Sequence, residues 1–164
     1  MRRLVLMRHS KTEANNPGGD KVRELTARGV QDAQEMGRQL ASVGLQYALV
    51  STATRTRQTF AALGLAIPVE YQDALYYDGT TTMLQRISET DDTITGLLVV
   101  GHAPTIPSLS AQLGYASAPA EADALQCWFP TSAFSEFTFE GSWTDLEPDS
   151  LDNVRFERVV RRQG

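Results

Sequence analysis

The chain has one cysteine, Cys127, and two histidines in 164 residues. One cysteine cannot form an internal disulfide or build a thiolate metal cluster, which fits a reducing cytoplasm. Two histidines without a His-x-x-x-His spacing make a poor metal site, so neither a metal nor a cofactor is expected. Long apolar runs are also missing. The N-terminal Leu4-Val5-Leu6-Met7 stops after four residues at Arg8, far short of a signal-peptide core or a membrane span. There is no basic excess either. The formal net charge of -5 disfavours non-specific binding to nucleic acid or to an anionic membrane, so an anionic ligand must be met by local arginines.

What is present is the composition of a globular protein, 41% hydrophobic and 21% charged, with length enough for one sizeable core. A single domain over residues 1–164 is expected. Four short apolar runs, 4–7, 47–50, 68–71 and 97–100, read as strands. Helical patterns lie between them at 27–43, 56–63, 80–88 and 106–113, the first with Thr26 as N-cap and Gly44 as its stop. Strand alternating with helix predicts an α/β fold, a three-layer α/β/α sandwich around a mainly parallel central sheet. Segments 133–139 and 153–160 read as neighbouring edge strands with no helix between them, which adds an antiparallel edge. Segment 116–123, rich in Ala, Pro and acid, reads as a mobile surface stretch near the site.

Three strands end in a polar signature. The first leads into Arg8-His9-Ser10, the second into Ser51 and the fourth into Gly101-His102-Ala103-Pro104. Ligands of open α/β sheets sit at the carboxyl ends of strands, so these loops should converge on one crevice, with Arg55 four residues beyond Ser51. A histidine in such a place is commonly a hydrogen-bonded structural residue. Two of them in equivalent positions, each with its own motif and with Arg8 and Arg55 nearby, instead suit a tetrahedral dianion, because arginine offers planar bidentate donors and keeps its charge.

These residues resemble the histidine phosphatase superfamily of phosphoglycerate-mutase-like enzymes. That family opens with a strand and Arg-His-Gly, here Arg8-His9-Ser10. It continues with Ser-x-x-x-Arg-x-x-x-Thr, here Ser51, Arg55 and Thr59, and ends with Gly-His, here Gly101-His102. Within it the chain is similar to the short SixA-like phosphohistidine phosphatase branch, through Arg8-His9-x-Lys11-x-Glu13, through Asp20-x-x-Arg23-x-Leu25-Thr26-x-x-Gly29 and through Gly101-His102-x-Pro104. Glu24 stands where the branch usually has proline, and Ser10 where the superfamily has glycine.

The resemblance implies that His9 attacks phosphorus and carries the phosphoryl group before water removes it. It also implies that Arg8, Arg55 and His102 hold the phosphoryl oxygens, with Arg23 and Ser10 as further phosphate-binding candidates. His9 must then be neutral, one ring nitrogen bare and the other donating to a fixed acceptor. Lys11 and Glu13 read as a solvated pair, and Asp20 as a partner of Arg23 or a turn cap. Ser51 has two candidate duties, capping the next turn and positioning a phosphate binder. Trp128 and Trp143 read as packing residues.

Larger relatives supply a carboxylic acid to protonate the leaving oxygen. Here the corresponding stretch, 73–79, aligns no convincing carboxylate, and Asp78 and Glu24 are the candidate proton donors. A leaving imidazole needs such an acid less than an alkoxide does, which favours phosphohistidine on a partner protein. A small phosphate ester, or a phospho-group binding module without turnover, is the alternative.

Overall fold

The computed structural model describes residues 1–162. Six strands and six helices follow in the order β1 (Arg2–Arg8), α1 (Ala27–Leu40), β2 (Tyr47–Ser51), α2 (Thr54–Leu63), β3 (Val69–Gln72), α3 (Ala74–Tyr77), α4 (Thr80–Ser88), β4 (Gly96–Gly101), α5 (Thr105–Gly114), α6 (Pro119–Cys127), β5 (Phe134–Phe139) and β6 (Arg155–Val160). Single 3₁₀ turns occur at Asp20–Val22 and Trp143–Asp145.

The strands form one sheet in the order β3-β2-β4-β1-β5-β6. The first four run parallel, and β5 and β6 add the expected antiparallel edge. Alternating side chains along each strand serve two cores. Leu4, Leu6, Leu97 and Val99 pack with Met83 and Ile87 of α4 and with Ile106, Leu109 and Leu113 of α5. Val5, Met7, Val50, Leu98 and Val100 pack on the other face with Met36 and Leu40 of α1 and with Phe60 and Leu63 of α2. Both faces of the sheet are therefore covered, which gives the three-layer α/β/α sandwich.

The start of α1 is as expected, since the Thr26 hydroxyl accepts from Gly29 N at 3.0 Å, satisfying one orphan donor of the first turn. The helix ends at Leu40, three residues before the end predicted from the pattern. α1 and α2 lie close because Gly37 has no side chain: a Cβ there would stand 2.0 Å from the Leu63 carbonyl oxygen.

Three expectations need correction. Segment 116–123 is not a surface loop throughout, because Pro119 opens α6 and Ala122 and Leu125, three residues apart, are buried; proline suits the first helical turn. The short α3 lies where no helix was predicted. Trp143 is fully buried, its indole N–H donating to Ile94 O at 2.7 Å. Trp128 is not a packing residue: it is 62% exposed, with the Arg161 guanidinium 4.1 Å above its ring. No helix among the described residues is long and apolar enough to cross a membrane.

Candidate active site

β1 and β4 are adjacent, with Arg8 opposite Gly101, so the residues that follow each strand emerge side by side at the carboxyl edge of the sheet. The backbone of His9 is held from two sides. Its N–H donates to Gly101 O, and its carbonyl accepts from Ser132 N, both at 3.0 Å. The ring nitrogen Nδ1 lies 2.8 Å from the Ser10 carbonyl oxygen. A carbonyl only accepts, so Nδ1 carries the proton and Nε2 is bare. Burial lowers the His9 pKa to about 3, against the opposing pull of the Ser10 bond; the neighbouring charges of His102, Arg55 and Arg8 push it down further. The imidazole is neutral at pH 7.

The His102 ring stands with its centroid 5.4 Å from that of His9. Its Nε2 is 2.7 Å from the Ser51 hydroxyl, and its Nδ1 is buried with no partner. Burial, then Arg55, lowers its pKa to about 4. Tyr76 of α3 meets this ring edge-on at 5.5 Å.

Arg55, in the first turn of α2, is buried, with Nη1 donating to the Asp20 carbonyl oxygen at 2.8 Å and Nη2 to the Asp20 carboxylate at 3.1 Å. The same carboxylate accepts from Arg23 Nε at 3.0 Å and from the Tyr76 hydroxyl at 2.6 Å. Asp20 thus joins two arginines and a tyrosine across the mouth of the site. The Tyr76 hydrogen bond, then Arg55, lowers its pKa to about 2 against the cost of desolvation, so it is a carboxylate at neutral pH. Arg23 also reaches the Thr12 hydroxyl at 2.9 Å and Glu13 O at 3.0 Å. Arg8 donates through Nη1 to Phe129 O at 3.0 Å. The Nε atoms of both Arg8 and Arg55 are buried and unpartnered.

Arg8, His9, Arg55 and His102 therefore come together from three strand ends, with Arg23 joined to them through Asp20. Ser10 does not stand open to a ligand. It is fully buried, its hydroxyl accepts from Ser132 Oγ at 2.6 Å, and its N–H donates to Thr59 Oγ1 at 3.0 Å. A side chain enclosed in this way supports the His9 turn from behind. Asp78 is exposed at the C-terminal end of α3. Glu24 is exposed too, and accepts from Gln58 Nε2 at 3.1 Å. Among the described residues neither carboxylate has a hydrogen bond or ion pair to either histidine. Glu13 is engaged by Asn16 and by the N–H of Glu24 instead of pairing with Lys11.

Four residues around the site carry more than the sequence indicated: Asp20, whose link to Arg55 was not foreseen, Thr59, Tyr76 and Ser132. Tyr76 lies inside 73–79, where the residue type expected to matter was a carboxylate. Ser132 adopts a φ of 71°, uncommon for a side chain other than Asn, Asp or Gly, and no pattern around it signals that conformation.

A sequence profile of the histidine phosphatase superfamily (branch 1) matches residues 4–76. An uncharacterised protein of Mycobacterium tuberculosis is 36% identical over 154 residues, covering 92% of this chain and 98% of that protein. The SixA protein of Nakamurella multipartitia, assigned as a phosphohistidine phosphatase, is 34% identical with a TM-score of 0.87, covering 98% of this chain and 95% of that one. SixA of Agrobacterium tumefaciens, with the same assignment, is 25% identical with a TM-score of 0.79 and covers 98% and 99%. The chain belongs to the histidine phosphatase superfamily. Within that superfamily it is SixA-like, and its sheet and helices form the phosphoglycerate-mutase-like α/β fold.

Proposed function

We propose that this protein is a metal-independent phosphatase that removes the phosphoryl group from phosphohistidine on a partner protein, through a covalent phosphohistidine on His9. One observation carries the proposal. Beside a neutral imidazole with a bare Nε2, three residues that couple electrostatically to His9 each keep a buried nitrogen without a partner: Arg8 Nε, Arg55 Nε and His102 Nδ1. Buried donors left unpaired are costly, and a tetrahedral oxyanion would satisfy them together.

In the first step the Nε2 lone pair of His9 forms a bond to phosphorus while the P–N bond of the substrate breaks, its electron pair leaving with the departing imidazole. Solvent supplies the proton that this imidazole accepts. In the second step water attacks phosphorus, the bond to His9 breaks, and inorganic phosphate departs. Arg8, Arg55 and His102 hold the equatorial oxygens, and two guanidinium charges match the two negative charges of the phosphoryl group. Arg23 extends the positive rim.

The choice of a P–N bond rests on proton supply. The carboxylate that reaches the site, Asp20, is held ionised by Tyr76 and Arg55 and has no proton to give, and Asp78 and Glu24 have no contact with the histidines. An alkoxide would leave badly from such a site. The test is to compare hydrolysis of a phosphohistidine peptide with that of sugar phosphates. Faster turnover of the peptide is expected, and faster turnover of the esters would replace the substrate assignment. Denaturation in alkaline detergent after reaction with a labelled phosphodonor should leave a base-stable, acid-labile label on the wild-type protein. A pocket that binds without turnover would leave none.

A further inference from the structure

We propose that Ser51 is a positioning residue that sets the tautomer of His102, holding Nδ1 as the N–H donor that meets a phosphoryl oxygen. The inference rests on the phosphatase reading above and deepens it.

A serine hydroxyl has one proton to donate and two lone pairs to accept with. Ser51, at the end of β2, is fully buried, so its partners must be protein groups. Its oxygen accepts from Ala53 N at 3.3 Å, which occupies one lone pair. The remaining neighbour is His102 Nε2 at 2.7 Å. No other acceptor for the hydroxyl proton is found among the described residues. The nearby Thr56 hydroxyl is turned to the carbonyl oxygens of Ser51 and Ala53, at 2.7 and 2.8 Å.

Two arrangements are then open. If His102 donated from Nε2, the Ser51 proton would be buried without an acceptor and Nδ1 would present a bare lone pair toward an incoming anion. If Ser51 donates to Nε2, every proton between them is used and Nδ1 keeps its hydrogen. The second arrangement leaves one unsatisfied group, Nδ1–H, which is the atom found buried and unpartnered. The depressed pKa of His102 agrees, since a neutral ring has only one N–H to place.

The two histidines are thereby fixed in the same tautomer by opposite means. His9 is held by an acceptor, the Ser10 carbonyl, and offers its bare nitrogen for attack. His102 is held by a donor, the Ser51 hydroxyl, and offers its N–H for binding. Because Ala53 N also bonds the Ser51 hydroxyl two residues before Arg55, one oxygen ties the start of the Arg55 helix to the His102 ring.

With two histidines in the chain, imidazole ¹⁵N NMR of the uncomplexed protein resolves both tautomers without a substrate. Wild type should show Nδ1–H for both rings. In Ser51→Ala, His9 should be unchanged while His102 shifts toward Nε2–H. Tungstate affinity and kcat should each fall about tenfold, less than the roughly hundredfold or more of an oxyanion donor deleted outright because the ring stays in place, and Ser51→Thr, which keeps the hydroxyl, should restore the His102 pattern. An Nε2–H tautomer of His102 in wild type, or an unchanged His102 in Ser51→Ala, overturns the proposal. Should alanine disturb His9 as well, the near-isosteric Ser51→Cys decides: a tautomer mixture supports the assignment and a pure wild-type pattern refutes it. Since the tautomers are read without turnover, a protein with the expected rings but no phosphatase activity would refute the function above and not this assignment.

Discussion

The attack proposed for His9 needs a neutral imidazole, and the surrounding protein secures that state for the ring. Its pKa of about 3 moves the acid limb of the pH–rate profile far below the 6.5 of a free imidazole. Turnover should stay level from neutral pH down to about 5 and fall only on approach to about 3 to 4, measured with an acid-stable assay of phosphate release; a limb centred near 6.5 would contradict the neutral state assigned to His9. His9→Ala should abolish turnover and phosphoenzyme label. His102→Ala and Arg55→Ala should each slow turnover by roughly tenfold to a thousandfold, the range for losing an oxyanion-type donor. Tyr76→Phe removes the main bond that holds the Asp20 carboxylate, and should loosen Arg55 and weaken tungstate binding several-fold by calorimetry. Arg8, His9 and His102 were legible because each follows an apolar strand within two residues, so chain position implies spatial position. The role of Asp20 was not, because its partners Arg55 and Tyr76 lie 35 and 56 residues away, and only the folded chain brings them together.

Elements differed in legibility for a related reason. β1, β2 and β4 carry buried apolar runs and are legible from them, whereas β3, Val-Glu-Tyr-Gln, is a largely exposed edge strand. α6 has a weak pattern, with two buried residues and a polar remainder, and its opening proline resembles a loop marker until the helix start is known. The four residues of α3 are too few to show periodicity. Contact between helices is set by a single absent side chain at Gly37, which local propensity does not reveal. Gly37→Ala would drive a methyl against the Leu63 carbonyl and force α1 away from α2, at a cost of about 1–3 kcal/mol. The melting temperature should then drop by about 3 to 10 °C. A circular-dichroism melt matching wild type would mean that the two helices separate freely.

For the molecule as a whole, the two depressed histidines link stability to pH. Their folded pKa values of about 3 and about 4 lie below the unfolded value near 6.5, so between these limits the unfolded chain binds more protons. Stability contributed by the neutral rings is complete above about 6.5 and is lost as pH falls toward about 3. Asp20, depressed to about 2, extends the loss below the usual carboxylate range. Denaturant titrations should give a pH slope near two protons for wild type around pH 5 and near one for His9→Asn. Equal slopes would refute the assigned shifts. Among the described residues no three His, Cys, Asp or Glu side chains gather as a metal-binding group, and dialysis against a chelator is expected to leave turnover unchanged.

The long reach of the β1–β5 pairing also bears on biosynthesis. Arg8 N bonds Ala133 O, the His9 carbonyl receives Ser132 N, and Arg8 Nη1 is held by Phe129 O. The segment that braces the Arg8-His9 turn is thus translated more than a hundred residues after it. A ribosome-bound chain that has not yet extruded residues 129–133 lacks all three of these bonds to the Arg8-His9 turn. If the proposed activity holds, a chain stalled before that point should release no phosphate from a phosphohistidine peptide, which an assay on stalled ribosome complexes would read.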